Sequence, residues 1–363
     1  MNPIRLYCGI SNHGFGHLAQ TAPILRAVMA RYPEVTLIVQ SEMPESRLRD
    51  WIERPFVYEP HFTDPGIPMH HAAAVDRSAT MKTYRQLMHN WESVIQTQVA
   101  RLKQYSPDLV LTNNSFTLSE AAGRCRIPCV HVCSLNWADI YRACAEGEPD
   151  TPAIYAKLLA AYNQADLFIR LTPAMPMPHL KPCETAHPIG RQGRCHSLHQ
   201  RLQRTEETRF VLVSMGGMEY PLDYSQWPRA DHCVYLIGST APIGRDDVVD
   251  FRTLGLSHTD LLRSCDALIG KPGYGTFVEA ACNQTPVLYL PREDWPEQPY
   301  LVEWLERRVP LVAVTATALR RGELKDALRA VWSQQPARPW QRSLTALPAG
   351  EQEIANRLAK WLS

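Results

Sequence analysis

Short apolar runs recur along the chain, separated by longer stretches with helical spacing. Residues 4–10 and the β-branched run 35–40 read as strands, with a helix at 18–31 between them. Residues 81–105 are amphipathic and free of Gly and Pro, which predicts one long helix. Strands are then expected at 109–112, 128–134 and 165–171, with helices at 115–126 and 155–164. Such alternation predicts a parallel sheet covered by helices on both faces.

The pattern stops at 172–193. Pro173, Pro176, Pro178, Pro182 and Pro188 fix φ and remove backbone donors, so neither a helix nor a central strand runs through. This segment reads as the joint between two domains, residues 1–190 and 191–347, with a last segment 348–363. Beyond the joint, strands are expected at 209–214, 233–237, 267–270, 286–290 and 311–314. Helices are expected at 259–264, 274–283, 298–308, near 316–332 and at 351–362. Each half has the pattern of a doubly wound α/β unit.

A length of 363 residues suits two such units. The 38 Lys and Arg against 37 Asp and Glu leave +1, which argues against nucleic acid or anionic lipid as the main partner. Hydrophobic residues at 45% and charged residues at 21% fit a globular protein. No run approaches the roughly 18 apolar residues of a membrane helix, and MNPIRLYCGISNHG lacks a signal-peptide core. Ten cysteines without such a signal point to a reducing compartment, so a cytoplasmic location is expected. Cys125, Cys129, Cys133 and His131 come nearest to a metal pattern. Cys129, His131 and Cys133 alternate on one face of a strand, and the set lacks C-x2-C spacing, so no metal is expected. Proline (29) outnumbers glycine (18), so each glycine cluster asks what backbone requirement it serves.

Three glycine-bearing turns lie at strand ends, where open parallel sheets bind ligands. The first, Ser11-Asn-His-Gly-Phe-Gly-His17, opens a helix whose free N–H groups suit an anion. Gly14, Gly16 and Ala19 match the dinucleotide fingerprint formally, with Glu42 as a loosely placed acid. That fingerprint leaves His13 and His17 unexplained; they act either as helix caps or as a general base near neutral pH. The second turn, Ser214-Met-Gly-Gly-Met218, is an anion loop or an ordinary tight turn. In the third, after the strand at 267–270, Gly273 and Gly275 form the turn and Thr276 is expected to cap the next helix. Glu279 then sits one turn inside, either to accept hydrogen bonds from ribose hydroxyls or simply as an acid favoured by the macrodipole. The loop Pro291-Arg-Glu-Asp-Trp-Pro-Glu-Gln298 brings Asp294 and Gln298 to the same crevice, where carboxylate and amide suit sugar hydroxyls.

The segment 271–298, KPGYGTFVEAACNQTPVLYLPREDWPEQ, resembles the donor-binding signature of GT-B glycosyltransferases. It is similar to that of plant small-molecule glycosyltransferases and, more loosely, of the enzyme that adds N-acetylglucosamine to form lipid II. Gly14-Phe-Gly-His17 with Pro23 resembles their acceptor loop, with a longer gap to the proline. His13–His17, Ser134-Leu-Asn-Trp-Ala-Asp-Ile-Tyr141 and Lys271–Gly275 match patterns of the glycosyltransferase-like proteins similar to the amino-terminal part of plant arabinokinase.

The resemblance implies α/β, GT-B architecture: two Rossmann-like domains facing across a cleft, with the last helix packing back on the first domain. A nucleotide sugar, with uridine favoured by the resemblance alone, would bind the carboxyl-terminal domain as cosubstrate, without further cofactor or metal. Gly216, Gly217, Gly273, Tyr274, Gly275 and Thr276 would take the diphosphate side, Glu279 the ribose, and Asp294 and Gln298 the sugar. The acceptor side would comprise His13, Gly14, Phe15, Gly16, Trp137 and Tyr141, with His17 as the base and inversion by direct displacement.

One departure concerns the base. The plant enzymes support their histidine with an Asp, where this chain reads Leu111-Thr-Asn-Asn-Ser115. Asn113 or Asn114 can accept a hydrogen bond from an imidazole but stabilises imidazolium less than a carboxylate does. Asp139, expected in the loop after the next strand, is either a substitute or a solvated loop acid. A sugar-nucleotide 2-epimerase or hydrolase on the same scaffold would need further carboxylates, for which Glu219, Asp223 and Glu293 are available. A non-catalytic sugar-nucleotide sensor and a nicotinamide dehydrogenase remain alternatives. The acceptor stays open among a small molecule, a glycan and a lipid-linked group, as does the oligomeric state.

Overall fold

A computed structural model describes residues 4–217, 220–229, 232–238, 245–292, 294–344, 347 and 349–362. Glu219 and Glu293 lie outside the described residues. The first half runs β1 (Arg5–Ile10), α1 (Gly16–Arg31), β2 (Thr36–Gln40), α2 (Glu45–Ile52), β3 (Val57–Glu59) and a hairpin of β4 (Met69–His71) and β5 (Ala74–Val75). It continues through α3 (Arg77–His89), α4 (Trp91–Tyr105), β6 (Leu109–Asn113), α5 (Phe116–Cys125), β7 (Cys129–Cys133), α6 (Trp137–Cys144), α7 (Thr151–Tyr162), β8 (Leu167–Leu171) and β9 (Cys183–Ala186). Seven of these strands form one parallel sheet in the order β3-β2-β1-β6-β7-β8-β9. Every residue of β6 and β7 is buried, as expected of strands covered on both faces.

The second half holds α8 (Leu198–Arg201), β10 (Arg209–Ser214), β11 (Cys233–Ile237), β12 (Val248–Asp250), α9 (His258–Ser264), β13 (Ala267–Gly270), α10 (Tyr274–Cys282), β14 (Val287–Tyr289) and α11 (Gln298–Glu306). β15 (Leu311–Ala313), α12 (Ala316–Arg321), α13 (Lys325–Gln334) and α14 (Gly350–Leu362) complete it. Its parallel sheet has the order β12-β11-β10-β13-β14-β15. The chain is therefore two Rossmann-like α/β units, and strand order reverses between β1 and β6 in one and between β10 and β13 in the other.

Two local expectations need correction. The helix expected over 81–105 is broken at Asn90, whose N–H turns back to Gln86 O and Leu87 O at 3.1 Å. Asparagine competes with helical bonding, and Trp91 anchors the new direction by stacking on Phe116 at 5.9 Å. The helix near 316–332 is likewise two, parted at Gly322 with φ +67°, where the Trp227 ring occupies the side-chain position. The proline-rich joint also contains a strand. β9 follows Pro182 and pairs only with β8, the edge position that proline tolerates.

Two features tie the halves together. The β4–β5 hairpin crosses from the first half, burying Ala72 among core residues of the second, and the Val75 N–H donates to Asp294 Oδ2 at 2.7 Å. In return, α14 lies against α1 and β9, with Arg357 bonded to Glu184 (3.0 Å) and Arg31 to Asn356 (2.7 Å). Gly350 begins α14 so close to the His187 and Pro188 carbonyls that a side chain would meet them at 2.3 and 2.6 Å. Among the described residues, no helix is long and apolar enough to cross a membrane. Leu358 on α14 is fully buried, so Leu358→Ala should destabilise the chain by about 2–5 kcal/mol in a urea unfolding measurement.

Candidate active site

Both reversal points of strand order open onto one cavity of about 340 Å³ between the halves. After β1, the Ser11 N–H donates to Asn113 O (2.7 Å) and its hydroxyl to Asp64 Oδ1 (2.8 Å), while Gly14 takes φ +73°. This delivers the start of α1 to the cleft. After β10, Gly216 takes φ +78°, which favours glycine. At Gly217 a Cβ would lie 2.3 Å from the Phe15 ring, so the first-half loop packs directly on second-half backbone. Arg47 lies over the same ring, 4.2 Å from its centroid. The first turns of α1 and α10 also approach closely, with Ala19 Cβ 3.6 Å from the side-chain position of Gly275. Two sets of free N–H groups thus face one cavity.

His17 is buried in the first turn of α1. Its Nδ1 lies 2.7 Å from Asn113 Oδ1 at the end of β6 and 3.9 Å from Cys133 Sγ. Asn113 Nδ2 donates to Gln20 Oε1 (3.0 Å), Gln20 Nε2 to Ser134 Oγ (2.9 Å), and Ser134 Oγ to Glu297 Oε1 (2.6 Å). Trp295 Nε1 donates to the other oxygen of Glu297 at 3.1 Å. Nε2 of His17 has no partner among the described residues, and the ring lines the cavity. Burial lowers its pKa to about 4, against the hydrogen bond to Asn113. It is therefore neutral at pH 7.

His13 is held in an aromatic corner. It stacks on Trp295 at 5.7 Å with 6° between planes and meets Trp137 edge-on at 5.1 Å. The Ile67 N–H donates to its Nδ1 at 3.5 Å, which places the ring proton on Nε2. Burial, with His17, Arg292 and Lys271 nearby, keeps its pKa well below the ordinary value.

Cations gather opposite the histidines. Burial lowers the Lys271 pKa to about 7, and Arg292, only 4% exposed, is pulled down to about 10 for the same reason. Arg292 lies 4.0 Å above the Trp295 ring, and among the described residues none of its guanidinium nitrogens has an oxygen partner. Burial raises the Glu297 carboxyl, against Ser134, Trp295, Arg292 and Lys271. Farther along the cavity, Glu279 meets Arg191 (3.4 Å) and His258 (3.5 Å), whose other ring nitrogen reaches Ser214 Oγ at 3.2 Å.

His13, Gly14, Phe15, Gly16, His17, Gly216, Gly217, Gly273, Tyr274, Gly275, Thr276 and Glu279 all line this cavity. Asn113 stands directly behind His17. Thr276 does not cap α10, because Gly273 is the extended N-cap and Thr276 lies within the first turn. The Tyr274 hydroxyl is spent on the joint, accepting from Ile189 N (2.9 Å) and donating to Thr172 O (3.1 Å).

Other expected residues stand apart. Asp294 is exposed and held by the β4–β5 hairpin, while Gln298 Oε1 accepts the Arg292 N–H; neither lines the cavity. Asp139 is no loop acid: it is buried within α6, bonded to Asn136 (2.8 Å) and Tyr155 (2.9 Å), and does not reach His17. Trp137 lies behind both histidines, and Tyr141 is buried against Tyr84 at 4.5 Å. Asn114 is buried with neither amide atom bonded among the described residues. Glu42 is exposed and off the cavity, and Asp223 caps a turn at Tyr224–Gln226. Sequence reading missed Gln20, Ser134, Arg292, Trp295 and Glu297. Pro296 was the available signal, since a proline favours the turn that the Gln298 N–H closes on Trp295 O (3.0 Å) just before α11.

No protein-family model matches the chain. It is 22% identical to L-arabinokinase of Arabidopsis thaliana over 307 residues, which is 82% of this chain and 29% of that protein. The chain thus spans less than a third of the length of this curated relative. Among solved structures, the calicheamicin glycosyltransferase CalG4 matches with a TM-score of 0.65 and 13% identity over 99% of this chain and 98% of that one. The glycosyltransferase VinC, solved with dTDP, matches at 0.64 and 17%, covering 99% of both chains. A structure titled as a UDP-N-acetylglucosamine 2-epimerase of Listeria monocytogenes matches at 0.58 and 14%, over 100% and 96%. The fold is that of the GT-B glycosyltransferases, with two Rossmann-like units facing across a cleft.

Proposed function

We propose that the protein is a nucleotide-sugar-dependent glycosyltransferase that inverts the anomeric carbon by direct displacement, without a metal ion. The observation carrying this reading is the unpartnered Nε2 of His17, in the same cavity as the glycine turn and first helical turn of α10. The diphosphate lies between the first turns of α1 and α10, with Lys271 and Arg292 as counter-charges. Gly216 and Gly217 let the second-half backbone come close. Glu279 accepts the ribose hydroxyls in place of Arg191 or His258. Uridine is the favoured base on the sequence resemblance. His17 takes the proton of the acceptor hydroxyl through Nε2, with Asn113 holding Nδ1–H.

An epimerase or hydrolase draws less support from the described residues. Its chemistry needs free carboxylates beside the sugar, whereas both Glu297 oxygens are engaged, Asp223 caps a turn and Asp294 is turned to the hairpin. Glu219 and Glu293 lie outside the described residues.

A thermal-shift screen of UDP-, GDP-, dTDP- and CMP-sugars should find one clear stabiliser, worth about 2.7 kcal/mol at a hundredfold excess over Kd. Stabilisation by NAD(H) alone would reject the reading. Glu279→Ala should weaken that donor by about 1.5–3 kcal/mol, measured by calorimetric titration.

With an acceptor in hand, His17→Ala should retain donor binding and lose roughly 10²–10⁴ in kcat. Full transfer by that variant would remove His17 as the base. The base acts only when neutral, and its pKa is depressed to about 4. Its contribution to the rate should therefore stay level through neutral pH and fall only as pH drops through about 4, which a histidine NMR titration can check directly.

A further inference from the structure

The hydrogen bonds running from Glu297 to His17 have a fixed direction. Trp295 Nε1, which can only donate, bonds Oε2 at 3.1 Å, and the Ser134 hydroxyl bonds Oε1 at 2.6 Å. Arg292, Lys271 and the two hydrogen-bond donors hold Glu297 ionised against its burial. When ionised it has lone pairs and no proton to give, so the one hydroxyl proton of Ser134 is committed to it. Toward Gln20, Ser134 Oγ is then an acceptor, and the Gln20 amide must present Nε2 to it (2.9 Å) and turn Oε1 away. That oxygen takes the proton of Asn113 Nδ2 at 3.0 Å, which turns Asn113 Oδ1 toward His17 at 2.7 Å. An amide oxygen facing Nδ1 requires the imidazole proton there and leaves the Nε2 lone pair for the cavity. Asn113 Nδ2 also reaches His17 O, but only at 3.5 Å.

We propose that Glu297 is a positioning residue, holding His17 in the base-competent tautomer through Ser134, Gln20 and Asn113. The proposal rests on the reading of His17 as the base. An amide can present either its oxygen or its NH₂ to an imidazole, so Asn113 alone does not choose the tautomer. The choice is made at the far end of the chain of bonds. Because Glu297 belongs to the second half and the other members to the first, the base is set only where the halves are docked as seen here. All five residues are buried, and His17, Gln20, Ser134 and Glu297 lie along the cavity wall, so the bonds between them run in surroundings of low polarity that strengthen them.

The test reads the two ring nitrogens of His17 by NMR in the full-length chain labelled with ¹⁵N-histidine, at pH 7 and without any substrate. Wild type should show Nδ1–H. Glu297→Gln offers Ser134 an amide N–H and frees its hydroxyl proton, and Ser134→Ala cuts the chain of bonds while leaving the carboxylate. In both, the Nε2–H form should become the major one, and Ser134→Thr, which keeps a hydroxyl, should restore Nδ1–H. Unchanged Nδ1–H in Ser134→Ala overturns the proposal even if Glu297→Gln fails to fold, and so does Nε2–H in wild type. Tautomers are read without turnover. Transfer retained in His17→Ala would therefore sink the base assignment separately, leaving the directed chain of bonds to stand or fall alone. Where transfer can be assayed, Ser134→Ala should lower kcat roughly ten- to hundredfold and Ser134→Thr should recover most of it.

Discussion

The close approach of α1 and α10, with Ala19 3.6 Å from the side-chain position of Gly275, is the contact on which the rest of the site depends. Each helix brings a first turn of amide N–H groups without intrahelical partners. Separately, each would be an ordinary solvated helix start. Brought together, they make one region of positive potential with little water to screen it. Glycine permits the approach at two points, Gly275 against α1 and Gly217 against the Phe15 ring. A side chain at Gly217 would push the first-half turn away and carry His13 and His17 with it. The contacts that bind the halves, α14 on α1 and the β4–β5 hairpin on the second core, hold the same approach from outside.

A whole-chain charge of +1 conceals the local arrangement. Lys271 and Arg292 are desolvated, and both are lowered from their ordinary pKa by burial. Arg292 keeps its place by lying on Trp295 and facing Glu297, while its guanidinium nitrogens lack oxygen partners among the described residues. A buried guanidinium in that condition is costly until an anion arrives. The cavity therefore holds its unfavourable electrostatics in groups that the diphosphate of the proposed donor would relieve, and the two neutral histidines beside them avoid adding to the burden.

Much of the fold was legible in the sequence because parallel strands buried on both faces read as continuous apolar runs. β6, β7, β11 and β13 all announce themselves in this way. The helix break at Asn90 was not legible, since it depends on Trp91 meeting Phe116, a contact between distant segments. The hairpin was hidden for the same reason: Met69–Val75 has little pattern of its own, and its partners lie in the other half. In the site, glycine turns at strand ends were legible because their backbone demands leave a mark on residue type. The inward face of 291–298 was not. Asp294 and Gln298 have the chemistry of sugar ligands, yet the chain turns at Pro296 and sends Trp295 and Glu297 inward instead. Residue type can nominate a ligand, but only the path of the loop decides which neighbour faces the cavity.

Asn113 in the place of a carboxylate alters how the proposed base must work. A carboxylate beside His17 would raise its pKa and stabilise the imidazolium formed when the acceptor gives up its proton. Here burial dominates and the pKa falls to about 4, so His17 is a weak base. A weak base suffices if the acceptor hydroxyl has already become acidic when the proton moves, which happens as its oxygen bonds to the anomeric carbon. On the proposed reading, proton transfer then comes late, and the burden shifts to the departing diphosphate, where helix N–H groups, Lys271 and Arg292 would act. The imidazolium of the proposed base would form as negative charge builds on that leaving group, with Glu297 three intervening side chains away as a further counter-charge. On that reading, stabilisation that a single carboxylate would concentrate is instead distributed across the cleft, so the base works only where the two halves are correctly docked.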